Sequence, residues 1–262
     1  MLAFLVFVLI GHFDMLDDGS SFIIISDGRD ITTLERCVES IYSLKMNIFE
    51  IILVGPTFLE KLSLQSKTRL VPFDDEIKAG WITRKKNIGI QNAKHQRVVI
   101  MHDYFALSGD WLKDLSLLDL RADVLVPRIS KSNGERFRDW VLWWENGRVF
   151  DGLIERTRWG LVPYWCSLLT EYQYVSGGIW ASTKKFMSEY PLDEELCWGQ
   201  GEDVEWSLRI RSRGRLVCAR SAKAVTMREK PASFKKIPLF LLCFLCTYAL
   251  VGKLRKCSFP FR

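Results

Sequence analysis

A chain of 262 residues with a formal charge of +6 has ample material for one large domain or two small ones. The charge is uneven: from Arg228 onward eight basic residues stand against the single acid Glu229, which leaves residues 1–227 at −1. A near-neutral body argues against the basic stripe that a nucleic-acid-binding domain presents. The seven cysteines are scattered and odd in number, so nothing asks for an oxidising compartment and a cytoplasmic location is the expectation.

In chain order, Met1 to Ile10 is uniformly apolar. It is shorter than the ~20 residues a spanning helix takes and lacks the basic start of a signal peptide. Ser21 to Ser26 is a continuous apolar run of the kind a strand covered on both faces shows. Thr32 and Glu35 make a capping box, and Ile31, Leu34, Val38 and Ile41 recur at helical spacing. Phe49 to Val54 reads as a second buried strand ended by Gly55 and Pro56, and Thr68 to Phe73 as a third. Trp81 to Ala93 reads as a helix, Arg97 to Met101 as a fourth strand and Asp123 to Arg128 as a fifth. Residues 130–170 are less regular and rich in aromatics. Tyr174 to Ala181 reads as a strand interrupted by Gly177 and Gly178, a sign of close ligand approach or a bulge. Val204 to Arg213 is helical, with Gly214 as its stop.

Ile237 to Gly252 is an apolar stretch which, as a helix, spans roughly 24 Å, short of the ~30 Å hydrocarbon core. Lys235 and Lys236 precede it, and Lys253, Arg255 and Lys256 follow. Two readings stay open, a helix lying in an anionic membrane interface and a buried core helix; the flanking charges favour the first.

Strands alternating with helices predict an α/β domain with a mainly parallel sheet, whose ligands sit beyond the carboxyl ends of the strands. Asp27, Gly55 and the pair His102 and Asp103 fall there. Asp103, with His102, can hold Mn²⁺ or Mg²⁺ and through it a diphosphate, or the pair simply ends a strand. Arg84, Lys85 and Lys86, just ahead of Asn87, can face the diphosphate or form a solvated basic turn. In Trp198-Gly199-Gln200-Gly201-Glu202-Asp203-Val204-Glu205 two carboxylates begin a helix behind a flexible loop. They are ordinary N-terminal acids or include a general base for a substrate hydroxyl. The absence of a Walker loop and of a GxGxxG turn removes the usual phosphate cradles of kinases and dinucleotide enzymes.

The ordered set of these motifs resembles a family. Lys86-Asn87-Ile88-Gly89, then Ala93, then the strand Val98 to Tyr104 look like the central part of family 2 glycosyltransferases. Ser176-Gly177-Gly178 and the Trp198 to Glu205 block, followed by Arg209, look like their acceptor half. The Gly-Glu-Asp block is also similar to that of a galactosyltransferase-like branch. The resemblance implies a GT-A-like α/β fold, with residues 1–19 an apolar N-terminal segment, 20–230 the transferase domain and 231–262 a basic tail carrying a C-terminal apolar helix.

It further implies an inverting, metal-assisted hexosyltransferase or galactosyltransferase. Such an enzyme takes a nucleotide-sugar donor, a divalent cation (Mn or Mg) and a glycan or lipid-linked acceptor at a possible membrane surface, and no nucleic acid. Asp203 then matches the catalytic base with Glu202 beside it, and Asp103 with His102 the metal site. Asp27, Arg84, Lys85, Asn87, Gly177 and Gly178 match donor positions, and Trp198, Arg138 and Asp139 are candidate acceptor contacts. The chain departs from the family at His102-Asp103-Tyr104, where Asp-x-Asp is usual. It departs again at Val54-Gly55-Pro56, where many members carry an acid, and at Ala224 to Arg228, which lacks the related branch's histidine. A catalytically silent nucleotide-sugar-binding protein of the same fold is the alternative these departures leave open.

Overall fold

Every residue of Ser20–Ile25 (β1) is buried, because helices cover both faces of the sheet in which it runs. The computed structural model describes residues 19–61, 66–143, 159–167, 169 and 172–229, and beyond them positions 236, 237, 239, 242, 243, 246 and 247. The N-terminal apolar segment, Trp144 and most of the tail lie outside the described residues.

β1 leads into the helix α1 (Ile31–Tyr42), capped by the Asp30 carboxylate, whose Oδ1 accepts from Thr33 N at 3.0 Å. The cap therefore lies two residues before the expected Thr32 box: aspartate offers the stronger acceptor, and Thr33 adds its hydroxyl to Asp30 Oδ2 at 2.6 Å. β2 (Phe49–Gly55), β3 (Thr68–Pro72), α2 (Ile82–Asn92) and β4 (Arg97–His102) follow as the apolar runs predict. Two elements then appear that the sequence reading does not contain, β5 (Phe105–Ser108) and α3 (Trp111–Leu120), the latter capped by Asp110. Beyond β6 (Val124–Lys131) come three short strands, β7 (Val141–Trp143), β8 (Trp159–Leu161) and β9 (Gln173–Tyr174). β10 (Ile179–Thr183), α4 (Lys184–Glu189), α5 (Glu202–Ile210) and β11 (Leu216–Thr226) complete the domain.

The main sheet has the order β3-β2-β1-β4-β10-β6-β11-β5, and β8-β7-β9 form a small second sheet. β3, β2, β1 and β4 run parallel, as do β6 and β11, whereas β10 is antiparallel to both β4 and β6, and β5 to β11. Alternate residues of each strand face opposite layers. Phe22, Ile24, Val99 and Met101 pack on α1 and α3 through Leu34, Cys37, Trp111 and Leu115. Ile23, Ile25, Val98 and Ile100 pack on the other layer through Ile90, Phe186, Trp206 and Ile210. The expected Tyr174 to Ala181 strand is split: β9 pairs with β7 in the small sheet, β10 enters the main one, and the glycine pair forms the passage between them.

Of the described tail positions, Ile237, Leu242 and Cys246 pack on the domain. Ile237 N donates to Leu161 O at 2.9 Å, and Leu242 is 1% exposed within the core layer of α2, α4 and α5. Among the described residues no helix is long and apolar enough to cross a membrane.

Candidate active site

The register that pairs Ile25 with His102 brings the next residues of β1 and β4 together at the carboxyl edge of the sheet. There Ser26 Oγ donates to Asp103 Oδ2 at 2.6 Å, and Asp103 is 4% exposed. The reversed direction of β10 delivers its beginning to the same edge, where His102 N donates to Gly178 O at 3.1 Å. β11 reaches it too: Met227 N donates to Tyr104 O at 2.8 Å, and the Arg228 guanidinium lies 4.8 Å from the Tyr104 ring centre. These ends open on a cleft of about 500 Å³ whose walls include Ser26, Asp27, Asp75, Gly80, Lys85, His102, Asp103, Tyr104, Trp198 and Arg228.

Burial lifts the Asp103 carboxyl above its ordinary range, and Asp27 and Asp30 add to the rise; the Ser26 hydroxyl and the Arg228 charge oppose it. Burial likewise raises the Tyr104 phenol, against the pull of Arg228 and Arg138. Lys85 is nearly inaccessible and donates to Asp75 Oδ2 at 2.6 Å and to Ser26 O at 2.8 Å. Asp27 pairs with its neighbour Arg29 at 3.4 Å. Trp198 stands 68% exposed on the cleft wall, with its backbone N–H bonded to Gly80 O at 2.8 Å. A large aromatic face left open beside a polar cleft is suited to stacking on a ring of a ligand.

One strand further along the edge, α5 begins with Gly201 at φ 79°, a left-handed conformation that glycine adopts without penalty. This turn aims Asp203 at the glycine passage. Its Oδ2 accepts from Gly177 N at 3.0 Å and from the Tyr174 hydroxyl. A Cβ on Gly177 would lie 2.9 Å from Asp203 Cβ, so only glycine admits this approach. Burial and the Asp203 charge hold the Tyr174 phenol well above its ordinary value, so it stays a donor. Beneath them Lys86, 0% exposed, donates to Gly177 O at 2.9 Å. Burial pushes its ammonium down to about 8, against the pull of Glu202 and Asp203. Glu202 is itself buried at 7%.

Arg138 stays with the site. It holds φ 41°, an uncommon conformation for a non-glycine that costs ~1–3 kcal/mol, and its charge reaches both Tyr104 and Tyr174.

Three expected contacts are placed elsewhere. Asp139 is 0% exposed, and its two oxygens accept from Arg136, Tyr164 and the backbone of Ile129 and Trp140, so it organises the chain after β6 and has no capacity left for an acceptor. Arg84 forks onto Glu194 at 2.8 and 3.1 Å. The Asn87 side chain bonds Leu192 O, Leu192 N and Glu194, so both residues fasten the loop that leads to Trp198 and do not face the cleft. Lys86, Tyr174, Ser26 and Arg228 enter the site in roles that the sequence pattern does not assign them. Of them only Lys86 carried a signal, as the first residue of the Lys-Asn-x-Gly segment.

The donor set at His102 and Asp103 does not fit the expected divalent cation. Asp103 Oδ2 is taken by Ser26, the His102 ring stacks on Tyr104 with centroids 5.0 Å apart, and a guanidinium shares the cleft. Among the described residues no three His, Cys, Asp or Glu side chains gather that could hold a metal ion. Hard cations are held through charged oxygen ligands, and one half-engaged carboxyl facing a fixed positive charge is a poor beginning.

Several crystal structures of S. aureus TarS share this architecture. TarS 1-349 in complex with UDP superposes with a TM-score of 0.54 at 14% identity, over 79% of this chain and 60% of that chain. The fold is GT-A-like. A second TarS 1-349 structure gives 0.50 at 13% identity, over 78% of this chain and 60% of that one. A longer TarS structure gives 0.52 at 14% identity, over 79% of this chain and 37% of that chain. This chain thus spans less than two thirds of the length of the chains it resembles. No protein-family profile matches the sequence, and no curated protein matches it. At this identity the GT-A-like glycosyltransferase fold is what the likeness establishes.

Proposed function

We propose that the protein is an inverting glycosyltransferase that moves a hexose from a nucleoside-diphosphate donor to a hydroxyl of a glycan or lipid-linked acceptor. The observation that carries this reading is the placement of Asp203. A carboxylate oriented by Tyr174 and Gly177 stands beside the cleft that the ends of β1 and β4 form, next to the glycine passage bonded to His102. A fold shared with a UDP-bound protein supports reading the cleft as the donor site. The resemblance of the Gly-Glu-Asp block to that of galactosyltransferases favours a hexose as the sugar.

In this mechanism the acceptor hydroxyl passes its proton to the Asp203 carboxylate as its oxygen attacks the anomeric carbon. The bond from that carbon to the phosphate oxygen breaks, and the nucleoside diphosphate leaves with the electron pair. Attack from the face opposite the leaving group inverts the anomeric centre. Tyr174 and Gly177 hold one oxygen of the base, and Lys86 keeps a positive charge beneath it. Trp198 offers a stacking face at the mouth.

The test is Asp203→Asn. Its amide keeps the shape and loses the proton acceptor, so transfer should fall by about 10²–10⁴-fold while UDP binding persists. Undiminished transfer by a correctly folded Asp203→Asn protein would remove Asp203 from the chemistry.

A further inference from the structure

We propose that Arg228 supplies the positive charge the donor diphosphate needs, in the place where a metal ion would otherwise act. The inference rests on the donor reading above and adds the means by which the leaving group is stabilised.

The first observation is placement. Arg228 follows β11 by two residues, and its backbone is pinned on both sides: Met227 N is bonded to Tyr104 O, and Thr226 Oγ1 donates to Arg228 O at 3.2 Å. Its guanidinium lies over the Tyr104 ring at 4.8 Å. Stacking of that kind fixes the plane of the group while its N–H edges stay available for a ligand. The same side chain lines the cleft beside Asp103.

The second observation is the state of the other cations on the cleft wall. Lys85 is committed to Asp75 at 2.6 Å, and Arg29 to Asp27 at 3.4 Å. Among the described residues of that wall, Arg228 is the permanent cation with no carboxylate at ion-pairing distance. Its open edges match the fork geometry by which guanidinium binds two phosphate oxygens.

The third is chemical need. As the glycosidic bond to phosphate breaks, negative charge grows on the diphosphate, and a fixed donor directed at that oxygen lowers the barrier without reorganising. The guanidinium does this with its proton retained, so no proton transfer to the leaving group is required. A divalent ion brought to Asp103 would meet this same fixed charge, which disfavours both occupying one site.

The test is calorimetric titration of the full chain with UDP and, separately, with uridine, in EDTA and again with Mn²⁺. Wild-type protein should bind UDP equally in both buffers, within about twofold. Removing one charge-assisted phosphate contact is worth about 10- to 100-fold in affinity. Arg228→Met should therefore lose that much UDP affinity and keep its uridine affinity, and Arg228→Lys should recover part of the loss. Retained uridine binding shows that the variant is folded. A tenfold or greater gain in UDP affinity on adding Mn²⁺, or an Arg228→Met protein that binds UDP like the wild type, overturns the inference and leaves the donor reading standing. Binding of neither UDP nor uridine by the wild type would overturn both.

Discussion

Lys86 is buried at a cost in stability, and its replacement by methionine should reveal that cost as a pH dependence. The ammonium is 0% exposed and bonded to Gly177 O, and burial lowers its pKa from 10.5 to about 8 despite Glu202 and Asp203 nearby. Between those two values the unfolded chain still holds the proton and the folded chain has released it. Stability therefore rises with pH across that window. The difference corresponds to about 3 kcal/mol, a penalty fully present below the folded value that fades as pH approaches the unfolded one. Lys86→Met removes the titration altogether. Urea unfolding of both proteins near pH 7 and near pH 10 should show the wild type gaining about 2.5 kcal/mol on the variant. In thermal melts the same change is roughly 5–10 °C. A stability difference that stays flat over this range would show that the folded lysine is not strained, and the reasoning would fail. The variant should also transfer sugar more slowly near neutral pH, because Asp203 loses the charge beneath it.

Asp139→Ala should lower stability by about 3–5 kcal/mol, because it leaves Arg136 without its carboxylate in a buried site; a urea midpoint shifted by less than about 1 kcal/mol would contradict the hub described above. Gly177→Ala places a methyl 2.9 Å from Asp203 Cβ. The start of α5 must then move, lowering turnover by about 100-fold at a stability cost of about 1–3 kcal/mol, with UDP binding kept; unchanged turnover would mean that the position of Asp203 does not govern the rate.

The parts of the fold legible in the sequence are those whose signal is local. β1, β2 and β4 are apolar runs bounded by polar residues, and they emerge within a residue or two of their expected limits. Asp103 and Asp203 stand out because one ends such a run and the other follows a glycine turn. β5 has no readable signal because its four residues, two buried and two not, make too short an alternation. The glycine passage reads as the interior of one strand because alternation cannot say which sheet a segment joins. The role of Asp139 depends on Arg136, Tyr164 and two backbone amides that only the folded chain assembles. Arg84 and Asn87 sit on the expected helix, but their partner loop, about 110 residues away, decides which way they serve. Lys86 is the sharpest case, since three consecutive basic residues look alike on paper while Arg84 stays partly exposed and Lys85 and Lys86 are sealed inside the protein on different partners.

The position of β10 has a consequence for biosynthesis. β3, β2, β1 and β4 pair consecutively from the first 102 residues, and β6 finds its other neighbour only in β11. Until Thr183 has emerged from the ribosome, the edge of β4 that β10 will occupy carries unsatisfied amides and carbonyls along a strand of five buried residues. Such an edge is a template for pairing with other chains. Synthesis of the intervening 76 residues, from 103 to 178, takes roughly 4–15 s, so nascent chains pass through a window in which a holdase chaperone would decide their yield.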